Sequence, residues 1–160
     1  MSDAFSPSKV VKLVENSLSV DNLRDWRRRG LLDGIGQQDN RGRWNYSIGE
    51  VLFLSSVPIL IEMGLELKTI FDHELNFKMY LHSLVRQPDQ PNRFMLLYPK
   101  GNQFSHALLE QPNEMMEKSD IGGFLFSLEG LVQRLPSSVK NEFRSFWNAT
   151  NTAVIKEANE

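Results

Sequence analysis

Hydrophobic positions near the start of the chain recur at helical spacing and are bounded by capping residues. Ser6 followed by Pro7 is typical of a helix start, and the apolar positions after it predict a first helix. Ser19 can cap a second, short helix whose apolar side is centred on Leu23. Gly30 can take up the left-handed backbone that ends such a helix. We therefore predict two short helices joined by a turn.

The next segment alternates hydrophobic and turn-forming residues, which predicts a small hairpin. Residues 31–35 are expected to form its outgoing strand, 36–42 its tip and 43–46 its return strand. Phe5 is expected to pack under the first two helices.

A longer third helix is predicted after the hairpin. Ser47 and Glu50 have the spacing of a capping box, and Gly64 supplies a stop. Pro58 lies between them and should kink the helix or mark its break, because proline removes a backbone donor. Residues 66–74 are expected to form a short fourth helix.

The second half of the chain mixes helical and strand-like patterns. Residues 129–135 fit a helix or an extended segment equally well, and 112–118 are ambiguous. The remaining predicted elements are a helix at 76–86, a proline-rich linker at 87–92, strands at 93–98, 104–110 and 124–128, and a final helix from Pro136 onward. We therefore predict an α+β fold in three parts, with boundaries 1–74, 75–92 and 93–160.

Composition is that of an ordinary globular protein, since 41% of residues are hydrophobic and 24% are charged. The absence of cysteine excludes disulfides and thiolate metal sites. No apolar run is long enough to cross a bilayer and no leader-like segment is evident, so a cytoplasmic protein with no membrane contact is the expectation.

The charge is unevenly distributed, although its net value is only −2. Between Arg24 and Arg43 six arginines face three aspartates, which gives a local excess of three positive charges. Such a cluster on a mildly acidic body can bind phosphate without indiscriminate association. A short helix ending in arginines and followed by a hairpin that carries more arginines is the outline of a winged helix-turn-helix.

Catalytic and metal-binding motifs are lacking. The three histidines, His73, His82 and His106, form no zinc-binding pair on one helix turn. No phosphate-binding glycine loop and no nucleophile elbow occurs. We therefore expect neither an enzyme nor a metal or cofactor site.

The run Leu23-Arg24-Asp25-Trp26-Arg27-Arg28-Arg29-Gly30-Leu31-Leu32 resembles the recognition-helix signature of the MerR family of transcription regulators. The segment from Gly42 to Ser47 is similar to the wing motif of that family, and the spacing to Gly64 fits its third and fourth helices. The resemblance covers about residues 5–72. It implies a mainly helical N-terminal winged helix-turn-helix, followed here by a small C-terminal α+β module.

Several positions depart from the family pattern. Asp25 stands where the family usually has an aromatic residue, and Trp26 replaces a tyrosine. In the wing the arginine comes one place early, at Arg43, so that Trp44 occupies the position of the family's arginine. These departures leave the individual DNA contacts open.

The resemblance implies a sequence-specific regulator that binds double-stranded DNA, with the second helix in the major groove and the wing on the adjacent backbone. Asn22 could pair with an adenine or be a plain polar position, and Trp44 and Tyr46 could lie against DNA or pack on the protein, with packing favoured for Tyr46. The candidate DNA-binding residues are Ser19, Asn22, Arg24, Arg27, Arg28, Arg29, Arg41, Arg43, Trp44 and Tyr46.

The C-terminal module is expected to form a homodimer, to sense a small-molecule or protein effector, or both. Two other functions remain open. One is an excisionase-like architectural factor of a phage or mobile element, and the other is a protein-interaction module whose winged helix no longer binds DNA. The net charge and Asp25 favour the last of these slightly.

Overall fold

A computed structural model describes residues 4–15, 17–91, 93–115 and 123–157. The described residues form both helices and two small antiparallel sheets, which confirms the predicted α+β class. In chain order they are α1 (Pro7–Leu13), α2 (Val20–Arg28), β1 (Gln37–Gln38), β2 (Trp44–Asn45), α3 (Ile48–Glu62), α4 (Leu67–Asp72), α5 (Glu74–Arg86), β3 (Phe94–Lys100), β4 (Gln103–Leu109), β5 (Phe124–Ser127), α6 (Leu128–Arg134) and α7 (Ser137–Glu157).

The first two helices begin at their predicted capping residues, and the second ends where Gly30 predicts. Pro7 is the first residue of α1, where its missing N–H costs no hydrogen bond. Ser19 caps α2 by accepting from the backbone N–H of Asn22. Gly30 follows α2 with a φ of 74°, in the left-handed region that favours glycine.

The hairpin is shorter than the sequence predicts, and the expected outgoing strand at 31–35 is wrong. This stretch consists of turns. Its apolar side chains, Leu32 and Ile35, are buried although the backbone that carries them is irregular. Gly34 and Gly36 have φ values of 79° and 78°, which interrupt an extended strand at two places.

The wing comprises β1, β2 and the turn between them. Gln37 pairs with Asn45 and Gln38 with Trp44 in antiparallel register. Phe5 extends the pairing, because it exchanges two backbone hydrogen bonds with Tyr46, at 2.8 and 2.9 Å. The N-terminal segment therefore fastens the return strand of the wing to the body of the protein.

Helix α3 is the central element of the core. Ser47 and Glu50 form the predicted capping box. Ten of its fifteen residues are buried, as expected for a helix surrounded by other elements. The helix does not break at Pro58 but continues to Glu62, and Gly64 then ends it with a φ of 93°.

The C-terminal strands form an antiparallel sheet in the order β4–β3–β5. Strand β3 extends through Pro99 to Lys100, two residues beyond the predicted stop, because Pro99 still pairs with Phe104 of β4. Residues 129–135, open between helix and strand in the sequence, lie mainly in α6, which Ser127 caps. Of the ambiguous stretch 112–118, Pro112–Glu114 form a 3-10 turn, and 116–118 lie outside the described residues.

One hydrophobic core connects the N-terminal helices to the C-terminal helices and sheet. It runs from Phe5 through α3 and α5 to Phe143 of α7. Polar contacts reinforce the same connection, since the Ser138 hydroxyl donates to the Leu13 carbonyl oxygen at 2.7 Å. The division into segments at 74 and 92 stays a prediction, but no separate core marks it within the described residues.

Helices α3 and α5 approach closely at Gly49. The Nε2 atom of His82 lies 3.3 Å from the Gly49 carbonyl oxygen, and a Cβ atom at Gly49 would come within 2.7 Å of the His82 ring. Burial lowers the pKa of His82, so the neutral imidazole is favoured. A side chain at position 49 would therefore force the His82 ring to move.

The shared core leads to a prediction for Phe77, which is fully buried and stacks on Phe126 with ring centroids 5.9 Å apart. Replacing it in Phe77→Ala should cost about 3–5 kcal/mol of unfolding free energy. Calorimetry should show one transition shifted to lower temperature. Two separate transitions, of which only one moves, would contradict cooperative unfolding of the two halves.

Candidate nucleic-acid interface

The start of α2 uses two of the predicted DNA-binding residues for its own cap. The Asn22 side-chain oxygen accepts from the backbone N–H of Ser19 at 2.9 Å and from its hydroxyl at 2.8 Å. The Ser19 hydroxyl oxygen in turn accepts from the backbone N–H of Asn22 at 3.0 Å. Both acceptor groups are therefore engaged within the chain, and pairing of Asn22 with adenine would require this cap to open.

Arg27 points into the protein and joins three segments. Its guanidinium donates to the carbonyl oxygens of Leu32 and, at 2.6 Å, of Ile35, and one nitrogen lies 3.4 Å from the Tyr46 hydroxyl. It also stacks on the Trp44 ring, 3.6 Å from the ring centroid. The Nε atom is buried without a hydrogen-bond partner among the described residues. These contacts make Arg27 the residue that connects α2, the following turns and the wing.

The other arginines of α2 lie on its exposed side and form ion pairs with aspartates of the same helix. Arg24 is 3.0 Å from Asp21, and both side chains are largely exposed. Arg28 is 2.5 Å and Arg29 3.5 Å from the carboxylate of Asp25. Exposed pairs of this kind contribute little to stability, so a stronger anion can displace the carboxylate.

The turn of the wing is built around Asp39. Its carboxylate accepts from the backbone N–H groups of Arg41 and Arg43, each at 2.9 Å. It also accepts from the Arg43 guanidinium, at 2.8 Å from Nε and 2.7 Å from Nη2. Gly42 completes the turn with a φ of 73°. Both arginines remain exposed, while Asp39 fixes the backbone that carries them.

The two wing aromatics differ in exposure. Tyr46 is buried, as the sequence favoured, and its ring packs closely on Gly36, where a Cβ atom would come within 3.0 Å. Trp44 is half-buried under Arg27. In this arrangement Tyr46 supports the wing from inside the protein.

A cleft of about 820 Å³ lies between α2, the wing and the start of α1. Among its lining residues are Arg24 and Arg28 from α2, Arg43 and Trp44 from the wing, and Ser8 from α1. The wing therefore faces the same surface as the arginines of α2. The arrangement can present several guanidinium groups to one extended anion.

The charges of this surface are set by its ion pairs. The hydrogen bond from Arg28 lowers the pKa of Asp25 below its usual value, and the backbone hydrogen bond from Arg43 does the same for the pKa of Asp39. Both carboxylates are therefore ionised at neutral pH and reduce the local positive charge.

The sequence did not reveal which arginines are free to meet a ligand. Arg27 follows Leu23 by one helical turn, so its position on the buried side of α2 was already a signal that it points inward. Spacings of three and four residues between Asp21, Asp25 and the arginines were the signal for the ion pairs.

Other kinds of site are not evident in the described part of the chain. No group of three or more histidine, cysteine or acidic side chains there could hold a metal ion. His73 and His106 meet edge to face with ring centroids 5.7 Å apart, but they are only a pair. None of the described helices is both long and apolar enough to span a membrane.

The sequence matches no model of a known protein family, and no curated protein matches it significantly. The geometry of α2 and the wing is therefore the basis for the functional assignment below.

The inward position of Arg27 predicts a structural effect of its removal. Arg27→Ala should lower the unfolding free energy by about 2–4 kcal/mol, because two carbonyl oxygens lose charged donors and Trp44 loses its stacking partner. Thermal melting measures this loss. Arg24→Ala is the matched control and should leave the melting temperature unchanged, since Arg24 makes only an exposed ion pair. Equal effects of the two variants would contradict the structural role of Arg27.

Proposed function

We propose that this chain is a sequence-specific regulator of transcription that binds double-stranded DNA, of the MerR type. In the proposal, α2 enters the major groove and the wing contacts the adjacent backbone. The observation that carries it is the cleft in which Arg24, Arg28 and Arg43 have side chains 76%, 81% and 68% exposed. Arginines presented from a helix and a hairpin on one surface suit the repeated phosphates of a duplex.

The contacts divide the candidate residues into two groups. Arg24, Arg28, Arg29, Arg41 and Arg43 are the proposed DNA contacts, since all five are exposed. The supporting group comprises Ser19, Asn22, Arg27, Trp44 and Tyr46, which hold α2 and the wing in position. Binding of the first group to phosphate would exchange weak ion pairs within the protein for contacts with DNA.

The proposal includes a homodimer, since regulators of this type bind two half-sites, and a small-molecule or protein effector acting on the C-terminal module. It also includes a cytoplasmic location. An effector bound at the C-terminal module would have to influence α2 and the wing. The core shared by α3, α5 and α7 supports this part of the proposal, because it also includes residues of α2 and the wing.

A protein-interaction module is the second candidate. It is favoured by the ion pairs of Arg24, Arg28, Arg29 and Arg43, each of which already has an aspartate partner. A surface with alternating charges of both signs suits a protein partner as well as a polyanion.

A double variant with Arg24→Ala and Arg28→Ala should bind duplex DNA much more weakly than the unmodified protein. Fluorescence anisotropy over a series of salt concentrations, with a duplex selected from a random pool by the unmodified protein, measures the affinity and its salt dependence. Each lost phosphate contact should reduce the slope of log K against log salt by about 0.9.

The matched control replaces Arg93 and Arg134 by alanine. Arg134 is exposed and Arg93 is half-buried; both are paired with glutamates and lie outside the cleft. The control should keep the full affinity and slope. If the unmodified protein binds no duplex at low salt, the proposal fails and the protein-interaction module is favoured.

A further inference from the structure

Asp25 is the point at which two of the exposed arginines meet one carboxylate. One of its oxygens accepts from Arg28 at 2.5 Å, and the other accepts from Arg29 at 3.5 Å. Its side chain is 39% exposed, compared with 81% for Arg28 and 50% for Arg29. The carboxylate therefore occupies, within the exposed side of α2, the position that a DNA phosphate would take between two guanidinium groups.

Displacing this carboxylate has a consequence for any approaching duplex. The ion pairs themselves are weak, so phosphate can compete for Arg28 and Arg29. The released Asp25 then faces the polyanion without a partner, and like charges at close range repel. Contact with the DNA backbone alone is therefore penalised at this position.

A base edge can remove the penalty. In the major groove the amino groups of cytosine and adenine donate hydrogen bonds, and a carboxylate accepts them. Asp25 lies in the middle of α2, the element proposed to enter that groove. A sequence that presents such an amino group to Asp25 would gain the contacts of Arg28 and Arg29 without leaving the carboxylate unpaired.

The other aspartates of the surface have additional tasks. Asp39 holds the wing turn through two backbone N–H groups. Asp21 lies in the first turn of α2, where a negative charge stabilises the helix. The side-chain partners found for Asp25 are both arginines, so its substitution can change binding without removing a turn or cap contact.

We propose that Asp25 determines the DNA specificity of this surface, because it holds Arg28 and Arg29 away from phosphates until a base amino group replaces them as its partner. The proposal rests on the proposed DNA binding. According to this proposal, the protein discriminates against random DNA sequences through a negatively charged residue among arginines.

Asp25→Asn and Asp25→Ala test this role, with Asp89→Asn as the control. Asp89 lies in the exposed linker after α5, so its substitution removes the same charge far from α2 along the chain. Affinities are measured for a random-sequence duplex and for a duplex selected from a random pool with the unmodified protein. Thermal melting of each variant verifies the fold.

Both Asp25 variants should bind the random duplex about tenfold more tightly at roughly 0.1 M salt, the effect of one added phosphate contact. Their affinity for the selected duplex should rise less or fall, so that the ratio of selected to random affinity decreases. The Asp89 variant should change neither affinity by a comparable factor.

Equal behaviour of the Asp25 and Asp89 variants would overturn the role of Asp25 even if the unmodified protein binds DNA. Equal gains on both duplexes would also overturn it, because they would reflect charge alone. If the unmodified protein binds no duplex, the proposed function fails. In that case, binding by the Asp25 variants alone would still show that Asp25 keeps Arg28 and Arg29 away from phosphates. No binding by any variant would overturn both proposals.

Discussion

The guanidinium of Arg27 is the interaction on which the arrangement of the candidate surface depends. It connects the end of α2 to the turns that bury Leu32 and Ile35 and to Trp44 in the wing. A two-residue strand pair such as β1–β2 is only marginally stable by itself. Its position is fixed because Arg27 contacts it from one side and Phe5 pairs with its continuation at Tyr46.

The residues of this surface fall into two groups, one that holds α2 and the wing in position and one that is exposed to solvent. In the first group, the capping box of Ser19 and Asn22 together with Arg27 supports α2 and the wing. In the second group, exposed arginines form ion pairs with Asp21, Asp25 and Asp39. The exposed ion pairs are individually weak, whereas losing the contacts of Arg27 would remove a support of the wing. The exposed arginines and the residues that hold α2 and the wing in position are thus different side chains.

The core joins this surface to the C-terminal half of the chain. Helix α3 begins directly after the wing and packs with α5 and α7, and His82 of α5 contacts its first turn at Gly49. Arg144 of α7 donates to the Val85 carbonyl oxygen at 3.1 Å, which connects the last helix to α5. These contacts join α7, α5 and the first turn of α3 in one packed unit.

Local sequence determined the elements whose chemistry lies within a few residues. Ser19, Gly30 and the pair Ser47–Glu50 fixed helix ends, because caps and left-handed glycines act on their own turn. Alternation did not predict the short wing correctly, since Leu32 and Ile35 are buried although their backbone forms turns and no strand. Pattern alone also could not decide whether 129–135 is helical.

The functional residues show the same division. Sequence established that arginines cluster on and after α2 and that Arg27 follows Leu23 by one turn, but only the tertiary structure supplied the partners that hold its guanidinium inward. The physical reason is that the partners of Arg27, Ile35 and Tyr46, are 8 and 19 residues away and reach it only when the chain folds. The partners of Arg24 and Arg28 lie three residues away on the same helix, so those pairs were already encoded in its spacing.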